Sequence, residues 1–406
     1  MERDEKLKSE KKFSENIMPT STQLYSQLLG YFRQYSRFKD IRHLQTLAWM
    51  VSALLCSGQL SLPAWEPYIM SRAKKAQSVE RRWRRFLGNS KIHVRKLYVP
   101  LVMAALSGWQ SQRLYVALDT TMLGHRYCMI HLSIVCCGRA IPFLWRVIEH
   151  DSAMVAWEEY KVLLRQARWL LRQNPDVMLL ADRGFANHDL ISWLQANGWH
   201  YCLRLPCDVL LNGIGRYPTT VQHNWPPVGE AYFYRQVRLW TDGIISTNLV
   251  LANVMGASEP WAVMTDEPPS LQTLWQYSLR FSIEELFLDS KSGVFELEDS
   301  RLRCPVALER LYLVAAIAIL FATTQGMAVQ LAGFRQQVDP HWRRGISYLK
   351  IGLRWLRGVF HKGRKLFSAI PLLPNDSHPC FVSKNTELDF DGYIWFSRIR
   401  SLNCTS

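Results

Sequence analysis

Apolar residues recur at three- and four-residue steps over Gln23–Tyr35 and Ile41–Cys56, the spacing that turns one face of a helix toward a core. Gly58 follows as a C-cap. A third helix is expected over Val79–Leu87, opened by Ser78 as N-cap and closed by Gly88-Asn89. Residues 20–107 thus read as a helical region. After Ser107 the period changes. Leu114–Leu118 is a short apolar run ending at Asp119, and Gly124 marks a turn. Cys128–Cys137 is rich in β-formers, Gly138-Arg139 turns, and Ile141–Ile148 is a third strand. From Asp151 or Ser152 the helical period returns, with Met154, Trp157, Tyr160, Leu163, Leu164, Ala167, Leu170 and Leu171 on one face. Val177–Ala181 is a buried strand ending at Asp182, His188–Ala196 a helix closed by Asn197-Gly198, and Tyr201–Leu205 another strand.

This β-β-β-α-β-α-β order predicts an α/β chain with a mixed sheet and helices on both faces. The order is that of the ribonuclease-H-like fold of polynucleotidyl transferases. There, acids at the ends of the first and fourth strands meet at the rim of the sheet; Asp119 and Asp182 hold those two places. A carboxylate at a strand end also serves as a helix N-cap or a turn residue, so neither is decisive alone. Between Asp182 and Glu284 lie 101 residues, far more than one crossover needs. Residues 206–256 carry Pro and Gly among β-formers, as in Ala231–Leu239 and Ile244–Val254, and predict a β-rich insertion; Trp261–Met264 then returns to the main body. The expected division is a charged segment 1–19, a helical DNA-binding domain 20–107, a catalytic core in two parts (108–205 and 257–334) around the insertion, a basic helical region 335–370 and a polar tail 371–406.

Charge adds a partner to this outline. With 48% hydrophobic and 20% charged residues, the 406-residue chain can bury a sizeable core and is not a disordered chain. Lys and Arg number 49 against 34 acids, a net +15 that favours nucleic acid as partner before a membrane. The excess is local. Residues 71–96 hold ten basic residues and one acid, among them Arg81, Arg82, Arg84 and Arg85; residues 341–366 hold eight and no acid. Trp83, Phe86, Trp342, Trp355 and Phe360 are interleaved with them. Two phosphate-backbone contacts would explain this, and so would solvated helix faces with aromatic anchors in the core. The nine cysteines form no CxxC pair, which speaks against a zinc knuckle and a disulfide framework. Met1–Pro19 is charged and has no apolar stretch, so no signal peptide is expected and the location is taken as cytoplasmic. Leu311–Phe334 carries no charge, but Thr323, Thr324, Gln325, Gly326 and Gln330 dilute it; a buried core helix is expected, not a membrane span.

Residues 270–292 contain Tyr277, Arg280, Glu284 and Lys291. At about 100° per residue all four fall within an arc of about 60° on one helix face. Such a polar stripe cannot face a core and can meet a metal and phosphates together. Ser282 with Glu285 also forms a capping-box pattern; a helix beginning there would keep only Glu284 and Lys291 on one face. Glu285 points about 100° away, Asp266 and Glu267 precede Pro268-Pro269 as loop acids, and Asp289 sits off the seam.

The spacing Y-x2-R-x3-E-x6-K, with Leu118-Asp119-Thr120-Thr121 and Ala181-Asp182-Arg183-Gly184-Phe185, resembles the signature of DDE transposases of bacterial insertion sequences of the IS-four family. The resemblance covers roughly residues 20–365. It implies that Asp119, Asp182 and Glu284 are catalytic and bind metal, Mg²⁺ or Mn²⁺ and two ions, and that Tyr277, Arg280 and Lys291 contact the DNA backbone. It further implies double-stranded DNA partners, transposon ends and target, a homodimer in the synaptic complex, and a match for the β insertion. In related transposases that form hairpins, an aromatic ring from this region stacks on a flipped base; Trp240 is the favoured candidate here, ahead of Trp225, with Trp261 read as core. The expected activity is binding of terminal inverted repeats with metal-dependent strand cleavage and transfer. The alternatives are a nuclease of the same fold that does not join strands, and a catalytically silent DNA-binding descendant.

Overall fold

In the computed structural model the described residues are 21–288, 302–340, 346–374 and 396–403, except positions 37, 39, 72, 74, 215, 242–244, 256, 258, 363 and 369. Among the described residues the first α-helices are α1 (residues 21–35), α2 (Ile41–Ser57), α3 (Ala76–Gly88) and α4 (Val94–Ala105). Local chemistry sets their ends. The Asp40 carboxylate accepts the Arg42 N–H at the start of α2, and Gly58 closes it at φ 73°, a left-handed turn that costs glycine little. Helix α3 starts at Ala76, so Ser78 lies inside its first turn and does not cap it.

Three antiparallel strands follow, β1 (Leu114–Leu123), β2 (Tyr127–Cys136) and β3 (Arg139–Glu149). After them come α5 (Trp157–Leu170), β4 (Val177–Ala181), α6 (His188–Ala196) and β5 (His200–Arg204). Helix α5 begins later than its apolar pattern suggests. Residues 151–156 are instead a loop, held to β1 by the Thr120 hydroxyl donating to the Ala153 carbonyl, and Met154 projects into solvent. Strand β1 runs parallel to β4, and β4 parallel to β5. The insertion contributes β6 (Leu210–Asn212), β7 (Thr219–Thr220), β8 (Glu230–Leu239) and β9 (Ile245–Ala252), before β10 (Trp261–Thr265) returns beside β5. It extends the main sheet, which runs β3-β2-β1-β4-β5-β10-β9-β8-β6-β7. The tail is not wholly outside this order: β11 (Arg398–Asn403) pairs parallel with β8, and the Leu372 N–H donates to the Ala105 carbonyl.

Both faces of the sheet are covered. Trp145 of β3 meets Tyr312 on one face, whereas its neighbour Arg146 pairs with Glu159 of α5 on the other. The first face carries α7 (Leu271–Ser278), α8 (Phe281–Leu288) and the 27-residue α9 (Pro305–Leu331). Helix α9 is long and apolar enough to cross a membrane, and it is buried in this fold on every side. It lies against β3, the N-terminal helices α2, α3 and α4, and α10 (Tyr348–Lys362). Its two charged residues after the first turn are both engaged: Glu309 accepts the backbone N–H of Val147, and Arg310 donates to the carbonyls of Leu87 and Ile92, which fixes the end of α3.

Helices α9 and α10 touch backbone to backbone. A Cβ on Gly326 would lie 1.9 Å from the Tyr348 carbonyl oxygen, and one on Gly352 would lie 1.8 Å from that of Ala322. Neither oxygen can move without breaking its helix. Gly352→Ala is therefore expected to cost about 1–3 kcal/mol or more, as overpacking does, and to lower the melting temperature. Gly30→Ala, in α1 with nothing within 4 Å of its Cβ, is the control and should be neutral or stabilising by up to about 1 kcal/mol. Thermal denaturation of the two variants checks this.

Candidate active site

The site is built on strand register. Leu118 of β1 pairs with Ala181 of β4, so Asp119 and Asp182 lie side by side. Asp182 follows the end of β4, whereas β1 does not end at Asp119 but continues to Leu123, paired there with β2 alone. Both are half-buried. Asp182 opens the short turn Arg183–Phe185, but its side chain makes no capping hydrogen bond there. It accepts the Tyr277 hydroxyl instead, at 3.2 Å. One Asp119 oxygen accepts the Thr120 N–H at 2.8 Å, and the other faces Arg280.

The polar stripe is carried by two helices. Helix α7 ends at Ser278 and α8 begins at Phe281; Leu279 and Arg280 join them through tight turns, with Ser282 N–H to Leu279 O and Ile283 N–H to Arg280 O. The capping box in this stretch is Ser270 with Thr273, at the start of α7, not Ser282 with Glu285. The junction keeps Tyr277, Arg280 and Glu284 turned to the same rim. The buried Arg280 guanidinium reaches Asp119 at 3.2 Å and Glu284 at 2.6 Å. It lies 4.7 Å from the Phe281 ring, and Trp261 packs edge-on to Tyr277 at 5.4 Å. Trp261, read from sequence as core, is thus half-buried in the aromatic wall behind the acids. Lys291 lies outside the described residues.

Burial pushes the Asp119 carboxyl up to about 6, against the pull of Arg280 and the Thr120 N–H; Asp182 and Glu284 add to the rise. Burial opposes the charge of Arg280, yet Tyr277, Asp119, Glu284 and Asp182 outweigh it and hold its pKa above the ordinary guanidinium value. Burial likewise raises the Tyr277 phenol, which stays a hydrogen-bond donor. Three carboxylates around a guanidinium form a hard-oxygen donor set that suits Mg²⁺ or Mn²⁺. Among the described residues, no group of three or more such side chains is already gathered for a metal. The Arg280 guanidinium holds the oxygens of Asp119 and Glu284 that a cation would take.

The other acids near this seam are committed elsewhere. Glu285 pairs with Arg139 of β3. Glu267 and Asp176 share Arg113, and Asp266 holds His200 at 2.7 Å; Asp289 lies outside the described residues. On α3 all four arginines are exposed while Trp83 and Phe86 are buried. Arg84 pairs with Glu80 and Arg82 donates to Thr46, which leaves Arg81 and Arg85 as the ones turned wholly outward. On α10, Lys350, Arg357 and Lys362 are exposed and Trp355 and Phe360 are buried. The interleaved aromatics described in both basic stretches are therefore core anchors. Trp240 has a left-handed backbone, φ 62°, and a half-buried ring packed on the core, as is Trp225.

The raised Asp119 pKa has a consequence for stability. Its folded value of about 6 exceeds the ordinary 3.8, so this group stabilises the fold at low pH and loses that contribution as pH rises from about 4 through 6. Asp119→Asn removes the buried charge and keeps an oxygen for Arg280. It should be more stable than the parent at pH 7 by about 1–3 kcal/mol, with the gap closing near pH 4. Melting temperatures of both proteins across this pH range check the sign.

None of the curated proteins matches this sequence. Among solved structures, a piggyBac transposase synaptic complex with hairpin DNA aligns at 11% identity and a TM-score of 0.43, over 84% of this chain and 79% of that one. An Argonaute of Marinitoga piezophila, in complex with 5′-OH guide RNA and target DNA, aligns at 10% identity and 0.21, over 63% and 38%. Likenesses this distant carry no argument about activity. The family comparison is specific: over residues 121–321, which include Asp182, Tyr277, Arg280 and Glu284 and begin two positions after Asp119, the chain matches the transposase DDE domain.

Proposed function

We propose that the protein is a DDE transposase of an IS-four-like insertion sequence: it binds terminal inverted repeats, cuts DNA at the element's ends and joins the freed 3′-OH to target DNA. The observation that supports this best is the meeting of Asp119, Asp182 and Glu284, from β1, the end of β4 and α8, through Arg280 and Tyr277. Acids from three separate elements brought to one rim have no structural task that a single ion pair would not fill.

Asp119, Asp182 and Glu284 would hold divalent cations, one or two, which when bound activate a nucleophilic oxygen and neutralise the leaving one. The remaining chemistry belongs to the chain. Tyr277 donates to one oxygen of Asp182 and so orients that carboxylate. In the cutting step, water attacks phosphorus, the P–O3′ bond breaks, and the proton lost by water is balanced by the one gained at the 3′-oxygen. In joining, that 3′-oxygen attacks a phosphorus of the target, the target's own P–O3′ bond breaks, and the proton lost by the attacking hydroxyl is balanced by the one gained at the target's 3′-oxygen. Arg280 presents a planar fork whose Nη atoms hold Asp119 and Glu284; the same donors have the geometry to take phosphate oxygens. Lys291 is proposed as a second backbone contact. Exposed Arg81 and Arg85, on a helix anchored by Arg310, suit the backbone of end DNA. Two copies would pair the two ends.

Asp119→Asn, Asp182→Asn and Glu284→Gln should each reduce cleavage of terminal-repeat DNA in Mg²⁺ by about 10³-fold or more, a typical scale for lost electrostatic stabilisation in an active site. Binding of the same DNA, followed by gel shift, should persist. A product carrying free 3′-OH that is then joined to target DNA separates a transposase from a nuclease; cutting without joining would overturn the proposal.

Reversing Arg81 and Arg85 to Glu should lower the slope of log K against log salt by about 1.8, at about 0.9 per lost phosphate contact. An unchanged slope, read by anisotropy on duplex ends, would return α3 to a solvated face.

A further inference from the structure

A groove of about 910 Å³ runs along the open edge of the sheet at β3, between α4, α5 and the start of α9. Four chain segments far apart in sequence line it, Trp145 of β3 among them, and it lies outside the acid seam. Its walls carry Arg95 and Lys96 from α4, and Arg165, Trp169 and Arg172 from α5 and the turn after it. All five side chains are exposed. Arg310 lines the base, but its donors are taken by backbone carbonyls. The one acid in the lining, Glu309, accepts the N–H of Val147 and faces Arg310 and Arg95; the groove's cations outnumber it.

Trp169 is the informative residue. It is 60% exposed, whereas the other tryptophans on the basic helices, Trp83 and Trp355, are buried. The Arg172 guanidinium lies 4.6 Å from its ring centroid, with one Nη donating to the Trp169 carbonyl. Residues 165, 169 and 172 follow at steps of four and three, so a cation, an aromatic plane and a second cation line one side of the groove. An exposed ring beside cations in a groove whose single lining acid they outnumber is the arrangement that holds a nucleic-acid strand with bases available for stacking. A duplex offers phosphates but no free base face.

We infer that this groove binds an unpaired DNA strand, through phosphate contacts from Arg95, Lys96, Arg165 and Arg172 and a base stacked on Trp169. The inference rests on the proposed DNA-processing function, and deepens it by adding a strand-specific site. That site lies at the β3 edge of the sheet, separated from β4 and Asp182 by β2 and β1, and toward the end of α5 that leads into the start of β4. Strand cutting and joining both create unpaired flanks, and a groove so placed would keep such a flank off the acids.

The test uses the full chain and two fluorescent probes: an oligo-dT of about 20 nucleotides and a duplex of about 20 base pairs, at about 50 and 200 mM salt. Trp169→Ala should weaken oligo-dT binding by about ten-fold or more, and Trp169→Phe should restore most of it. Duplex binding should change by less than about two-fold. Arg165→Glu with Arg172→Glu should lower the salt slope on oligo-dT by about 1.4, at about 0.7 per contact. If wild type binds oligo-dT and both variants bind it equally well, the groove assignment is wrong while the transposase reading stands. Equal losses on duplex and oligo-dT would make the groove a duplex contact and overturn the strand assignment. If wild type binds neither probe, the DNA-processing function fails, and the groove with it. Because Trp169 and both arginines are exposed, unchanged melting curves separate lost binding from lost folding.

Discussion

A helix that is apolar on every side must be surrounded, and α9 imposes that demand on the whole molecule. Its 27 residues have no polar face to turn to water. The sheet, the N-terminal helices and α10 all pack against it, and they form one continuous core. This single constraint joins the helical region to the α/β region. It also brings Arg310 beneath α3, where a buried guanidinium ties down the ends of backbone carbonyls. Such a charge is tolerable only because it is hydrogen-bonded.

Against that scaffold stands an opposing cost. Three carboxylates at one rim repel, and Asp119 is buried enough that its charge is disfavoured. Arg280 relieves both effects by standing between Asp119 and Glu284. With two carboxylate partners, Arg280 keeps one of them if the other is neutralised, and the negative potential that holds it would also attract a cation. The aromatic wall of Trp261, Tyr277 and Phe281 excludes water from one side and strengthens the interaction.

The α/β order was legible because strands and helices have different periods and because Asp119 and Asp182 each close an apolar run. The parallel pairing of Leu118 with Ala181 is what turns these two acids into neighbours, although β1 runs on past Asp119 to Leu123. The spacing of Tyr277, Arg280 and Glu284 was legible as one helix face. The break between α7 and α8 was visible only as an ambiguous cap, since capping patterns occur wherever Ser and Glu fall three apart. Trp240 looked projecting beside a Thr-Asp-Gly sequence, yet its ring packs on the core because β6 receives its backbone N–H.

By itself the sequence determined the main element types, the two acids that follow apolar runs, the polar stripe and the clustering of positive charge. These depend on neighbours along the chain, and local periodicity records them. Tertiary structure decided what those features face. Hydropathy is the same whether α9 lies in lipid or in protein, and only its contacts place it in a core. Helical spacing shows that Arg280 and Glu284 share a side, but not that Asp119, 161 positions earlier, closes on the same guanidinium. The groove around Trp169 is built by α4, α5 and α9. No local pattern encodes it, because the energy of burying distant segments against each other sets which side chains are left exposed.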